Sequence, residues 1–291
     1  MHKKLLFSVF SVLVILAVAV SPAYAITGNF VQDFEHPFVG LAVFYDVSGA
    51  FIWRCSGALL SPNVFLTAGH CADTVSGAVT ARIYFQQDAG VNFDPVTQVD
   101  PVTGYPNFCA VGTLGVTCAT VSAGNIYNFG FTGSLTVPNT HDAGILILDQ
   151  PIQVSEYGQL PEAGVLDGLA TSRGVQDTIF TVSGYGLTYK EQLQNGKPNI
   201  SFRERLMAEA TLVNVNSFLN SGFNLQTSGN GSGKGGTCNG DSGGPVFLGD
   251  PSSDLIVGIT SFGLNTLCRG TDFAFRVDQP DVLTWIQGFL N

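Results

Sequence analysis

Apolar residues recur along the chain in short runs or in alternation with polar ones, and turn-forming Gly, Pro, Asn and Asp separate them. The runs cover residues 38–45, 51–60, 79–85, 145–148, 179–183, 210–215, 246–248, 255–262 and 273–277. Runs of this length predict strands, and many short strands predict an antiparallel sandwich or barrel. Only 279–290 reads as a helix, with Val282, Leu283, Ile286, Phe289 and Leu290 on one face and Asp278 placed to cap its start. The fold class that follows is all-β with one C-terminal helix.

Three stretches interrupt the pattern. Residues 86–140 mix Gly, Asn, Thr, Val and Pro around the close pair Cys109 and Cys118, which predicts an elaborated loop stapled by its own disulfide. Between Pro151 and Pro161 the periodicity breaks, as expected for a crossing between two halves. Ser228 to Gly236 has the composition of a phosphate loop, but its Gly-Lys is followed by Gly235 instead of Ser or Thr, so it reads as a flexible surface loop.

The first 25 residues belong to a different category. His2-Lys3-Lys4 precedes an apolar run from Leu5 to Val20 and then Ser21-Pro22-Ala23-Tyr24-Ala25, the pattern of a secretory signal peptide cut after Ala25. An uncleaved anchor is the alternative, although the run is short for a bilayer. The expected product is exported, begins at Ile26 and keeps no stable membrane association. Lys and Arg number 12 against 22 Asp and Glu, for a net charge of −10, so no positive field gathers nucleic acid or anionic lipid. An even count of six cysteines in an exported chain predicts a disulfide framework, whose pairing the spacing alone does not choose. No metal site is expected, because there is no C-x₂-C pair and only His70-Cys71 brings soft ligands together.

Candidate chemistry lies in three segments: Leu66-Thr67-Ala68-Gly69-His70-Cys71, Asp142-Ala143-Gly144-Ile145-Leu146, and Gly240-Asp241-Ser242-Gly243-Gly244-Pro245. A serine hydroxyl is a poor nucleophile until an imidazole takes its proton, and a carboxylate must orient that imidazole and stabilise its charged form. His70, Asp142 and Ser242 supply those types. Beyond residue 25 the other histidines are His36, which has no supporting motif, and His141, whose neighbour Asp142 points to the opposite face of an extended segment. Asp149 is a fallback for the acid, disfavoured because it follows the apolar strand. The glycines around Ser242 permit a tight turn that aims the N–H groups of Gly240 and Ser242 at one point, as an oxyanion hole.

These segments resemble the chymotrypsin/trypsin family of serine proteases, from Ile26-Thr27-Gly28 to the helix around Trp285-Ile286. The resemblance implies two six-stranded antiparallel Greek-key β-barrels in a peptidase domain over 26–291: barrel one about 26–150, barrel two about 160–278, and a helix about 279–290. It implies His70 as base, Asp142 as orienter and Ser242 as nucleophile, with Ser261-Phe262-Gly263 as the strand edge that pairs with substrate. It pairs Cys55 with Cys71 and Cys238 with Cys268, leaving Cys109 to Cys118. It places the α-amino group of Ile26 beside Asp241 as an activating ion pair. The chain departs from the family in Ala143-Gly144, where Ile-Ala is usual, and in a longer segment between His70 and Asp142.

The resemblance also locates a specificity pocket. Its base is Gly236 beside Thr237, Gly263 leaves one wall open, and Asp272 falls on the other wall. A carboxylate there leans the pocket towards Arg or Lys at P1, whereas an Asp272 facing solvent would leave it to apolar or aromatic residues. The expected protein is thus a secreted, monomeric serine endopeptidase acting on proteins or peptides without a cofactor. The alternatives are a catalytically silent binding module and an esterase. The chain order His, Asp, Ser argues against the esterase, whose fold places Ser first. Asn199-Ile200-Ser201 and Asn230-Gly231-Ser232 are candidate glycosylation sequons.

Overall fold

The structure is a computed structural model that describes residues 26–89, 93–94, 96–100, 105–106, 108–109, 117–170, 178–187, 204–264, 268 and 270–290. The expected signal peptide and the sequon at Asn199 lie outside the described residues. Among those residues no helix is long and apolar enough to cross a membrane.

The first sheet contains β3 (Val39–Tyr45), β4 (Phe51–Leu59), β5 (Val64–Thr67), β6 (Thr80–Tyr84), β7 (Cys118–Val121), β8 (Ile126–Asn128) and β9 (Gly144–Ile147). Its order is β7-β6-β3-β4-β5-β9-β8, every pairing antiparallel. Strand β3 reads as a continuous apolar run because it lies between β4 and β6 and is buried at every position.

The second sheet contains β10 (Ile179–Gly184), β11 (Leu206–Asn214), β12 (Asn224–Ser228), β14 (Pro245–Leu248), β15 (Ile256–Gly263) and β16 (Thr271–Arg276). It runs β10-β14-β15-β16-β12-β11 and closes through a β10–β11 pairing, with β2 (Val31–Gln32) added on β11. Closure removes the free edges. The two expected barrels are thus present, the second closed with six strands and the first a curled half-barrel of seven strands in place of six.

Three further expectations change. The Gly-rich 228–236 stretch is not wholly a surface loop: Gly235 and Gly236 form β13, are buried, and pair antiparallel with β1 (Thr27–Gly28). Asn230 and Ser232, by contrast, are exposed. The C-terminal helix spans only Pro280–Gln287, after a short helix at Asp167–Ala170. Its cap residue is Gln279, not Asp278. Pro280 starts it because its missing N–H would have no partner in the first turn. Asp278 is instead fully buried, where it binds the Arg276 guanidinium at 2.7 Å and accepts the Leu166 N–H.

One core fills the first sheet and reaches Phe247, Ile259 and Phe275 of the second, and the helix packs Val282 and Ile286 onto it. A separate core inside the closed barrel holds Phe180, Val182, Leu225 and Val246, together with Ile26 from the N-terminal segment. The cysteines pair as Cys55–Cys71, Cys109–Cys118 and Cys238–Cys268.

Candidate active site

His70 lies on the turn that follows β5, and Asp142 immediately precedes β9, the neighbour of β5. The pairing of Thr67 with Gly144 thus brings the two loops side by side. The His70 ring binds Asp142 through Nδ1, at 3.1 Å from Oδ1 and 2.9 Å from Oδ2, and its backbone N–H donates to Oδ1 at 2.7 Å. Ser261 Oγ, from β15 of the other sheet, donates a short hydrogen bond to the same carboxylate. The Asp142 side chain is fully buried, whereas His70 keeps 25% of its side chain exposed.

The charges in this pair support each other. Burial alone would raise the Asp142 pKa, but the imidazole beside it and the hydrogen bonds from His70 and Ser261 hold it below the ordinary carboxylate value. Burial likewise disfavours a charged His70, and the Asp142 carboxylate reverses this so that its pKa is raised. The backbone around His70 is fixed from three sides: by Cys55–Cys71, by Trp53 Nε1 donating to the Cys71 carbonyl, and by Asn128 Nδ2 donating to the Gly69 carbonyl.

Ser242 approaches from the closed barrel. A ring nitrogen of His70 lies within 4.8 Å of the Cys71 sulfur, and that sulfur is 3.8 Å from the Ser242 carbonyl oxygen. Among the described residues Ser242 Oγ and His70 Nε2 form no hydrogen bond. Such bonds are often long until substrate is bound. In the Ser242 turn, Gly240 and Gly243 take φ of 99° and 83°, a region that L side chains avoid. The carbonyls of Asn239, Gly240, Asp241 and Ser242 accept from Leu187 N–H, Ser56 Oγ–H, Gly244 N–H and Ser56 N–H respectively. The N–H groups of Asp241, Gly243 and Gly244 also have acceptors, whereas those of Gly240 and Ser242 have none among the described residues. Two donors are thus left for a ligand.

A cleft of about 300 Å³ opens beside Ser242, lined by Thr237, Thr260, Ser261, Phe262, Gly263 and Asp272 among others. The β15–β16 register sets Gly263 opposite Asp272, and Phe262 stacks on Phe273 at 4.5 Å. Asp272 is half-buried: its Oδ2 accepts the Thr237 N–H at 2.8 Å and sits where a side chain on Gly236 would begin, 2.6 Å from that point. Burial raises its pKa to about 6, against the lowering effect of the Thr237 hydrogen bond.

Asp241, next to Ser242, is fully buried and accepts from the N–H groups of Cys238 and Gly186. Burial raises its pKa to about 7. Ile26 is also fully buried, and the expected Ile26–Asp241 ion pair belongs to a chain cut after Ala25, in which the Ile26 nitrogen would be a free amine.

The other candidates fall away from the groove. Asp149 binds Thr120 and Ser122 in an exposed turn. His36 is buried against Asp33 and stacks on Phe247. His141 lies against Phe129. The grouping of Cys55, His70 and Cys71 resembles a metal cluster, but its sulfurs are joined in a disulfide and offer no thiolate. Residues not singled out from sequence include Ser56, Asn128 and Phe131, whose ring centroid is 6.1 Å from that of His70. No local motif marks them.

Comparison with known proteins agrees with this geometry. A family profile described as Trypsin matches residues 28–286. Brachyurin of Leptuca pugilator is 27% identical over 82% of this chain and 86% of its own. Phenoloxidase-activating factor 3 of Holotrichia diomphalia is 26% identical over 87% of this chain and 68% of its own, and lectizyme of Glossina austeni is 25% identical over 81% and 74%. A solved structure of HL collagenase shares the fold at a TM-score of 0.60, with 16% identity, covering 91% of this chain and 98% of that one. The chain belongs to the trypsin family of serine proteases.

Proposed function

We propose that this chain is a secreted serine endopeptidase that cleaves peptide bonds through an acyl-enzyme on Ser242. The observation that carries the reading is the His70 imidazole held by a buried Asp142, next to a Cys71 sulfur 3.8 Å from the carbonyl oxygen of a serine whose turn leaves two N–H donors unused among the described residues. Ser242 Oγ attacks the scissile carbonyl while His70 Nε2 takes its proton. Asp142, kept ionised, holds the proton on Nδ1 and stabilises the imidazolium. The N–H groups of Gly240 and Ser242 receive the oxyanion. His70 then returns its proton to the departing amine, and water repeats the cycle to free Ser242.

Specificity leans to Arg or Lys at P1, through Asp272 on the pocket wall, whose carboxylate reaches the base at Gly236. A second reading, an apolar or aromatic P1, is favoured by the raised Asp272 pKa and by the Phe262 wall. Activation follows from the boundary between Ala25 and Ile26. Signal cleavage there creates an α-amino group on a residue already buried in the barrel, and Asp241 is a fully buried carboxylate with no cation beside it among the described residues. The mature product is a secreted monomer with protein or peptide substrates.

Cleavage of a peptide library by protein whose N-terminus has been sequenced tests the whole reading, with Ser242→Ala as the blank. Cleavage after Arg and Lys by a chain starting at Ile26 is expected. No cleavage above the blank would refute the endopeptidase, and equal cleavage after all residue types would refute the role of Asp272.

A further inference from the structure

The strand residue next to Cys55 is tied into the nucleophile turn by its side chain as well as its backbone. Alternation along β4 sends the Cys55 side chain to Cys71, beside His70, and the next side chain to the other face. That next residue is Ser56, which is fully buried. Its hydroxyl accepts the Tyr185 N–H at 2.9 Å and donates to the Gly240 carbonyl at 2.9 Å. Its N–H donates to the Ser242 carbonyl at 2.7 Å, and its own carbonyl accepts from Thr67 Oγ1 at 2.8 Å.

Gly240 and Ser242 are the residues whose N–H groups are left without acceptors. Ser56 therefore holds the carbonyl of each residue that supplies an oxyanion donor. We infer that Ser56 is a positioning residue for the oxyanion hole, acting through Gly240 and Ser242 without touching substrate. The inference rests on the hydrolase reading above. Gly240 is the vulnerable partner: without a side chain its dihedrals are free, and its positive φ is maintained by neighbours. Removing the hydroxyl strands two buried groups at once, the Gly240 carbonyl and the Tyr185 N–H, and the turn relaxes to find new partners.

The test uses the chain matured to Ile26. Deleting an oxyanion donor costs about 10²- to 10³-fold in rate, and loosening one costs less. Ser56→Ala is expected to lower kcat about ten- to a hundredfold with KM within about twofold. Affinity for a peptidyl trifluoromethyl ketone, which forms a tetrahedral oxyanion on the serine, should weaken by the same factor. Affinity for the matching uncleaved peptide amide should not change. Ser56→Gly, which removes the same hydroxyl with less strain, serves if the alanine variant fails to fold, and Ser56→Thr should retain more of kcat than either. Unchanged kcat and unchanged ketone affinity in a folded variant would overturn the inference alone, as would a loss confined to KM. A wild-type chain that neither turns over peptide nor binds the ketone covalently would overturn the hydrolase reading, and this inference with it.

Discussion

Two fully buried aspartates, one bound to His70 and one adjoining Ser242, have opposite characters. Asp142 meets an imidazole, a hydroxyl and a backbone N–H, and its pKa is lowered. Asp241 meets two backbone N–H groups, and its pKa is raised to about 7. Burial penalises both carboxylates, so the difference lies in the partner. A group able to carry positive charge keeps Asp142 ionised, and backbone dipoles alone do not do so for Asp241. Asp142 has a group able to carry positive charge beside it, and Asp241 has none among the described residues.

The comparison breaks first at Asp142. Asp142→Asn should lower kcat by about 10⁴-fold with the fold retained, because the amide no longer holds the Nδ1–H tautomer. Steady-state kinetics beside a thermal melt checks it. The next largest effect belongs to the other carboxylate. A chain with one residue added before Ile26, or Asp241→Asn in the mature chain, should lose about 10²- to 10³-fold in kcat/KM as the oxyanion turn loosens. Equal activity with and without the extra residue would separate Asp241 from activation.

Smaller effects sharpen the contrast. Asp272→Asn should reduce cleavage after Arg and Lys by about tenfold to a hundredfold, with apolar P1 residues spared, as measured with paired peptide substrates. In the parent enzyme the basic preference should grow as pH rises through about 6, where Asp272 ionises. The activity itself should fall on the acid side with a midpoint above the ordinary histidine value of 6.5, because only the neutral ring accepts a proton. The smallest effect is on stability. In full-length protein Asp241 holds a proton from its ordinary value of 3.8 up to about 7 that the unfolded chain has released, so its contribution is lost as pH rises through that window. If the proposed Ile26 amine pairs with Asp241 in the mature chain, it should lower the Asp241 pKa, and the contribution would instead be lost as pH falls. Thermal melts of both forms between pH 4 and 8 should slope in opposite directions at this group.

Much of the architecture is legible where burial imposes a period. Val39–Tyr45 and Ile256–Gly263 appear as apolar runs because both faces are covered. Strands defined only by their partner escape: Gly235–Gly236 has no side chains to pattern, and it is a strand because Thr27–Gly28 lies against it. The seventh strand of the first sheet and its half-barrel curl depend on pairing between distant strands, which periodicity does not encode. In the site, His70, Asp142 and Ser242 stand out because each sits in a dense local motif. Ser56 does not, because its meaning depends on Tyr185 and Gly240, 129 and 184 residues away. Asp278 looks like a helix cap from its neighbours alone and is claimed instead by Arg276.

The central claim is that the Ser242 hydroxyl is activated by His70. The most direct measurement is mass spectrometry of the chain matured to Ile26 after exposure to a fluorophosphonate. A single adduct on the peptide carrying Ser242, absent in His70→Ala and Ser242→Ala, is the predicted result. No adduct on the folded mature chain, or an adduct of equal yield in His70→Ala, would contradict it.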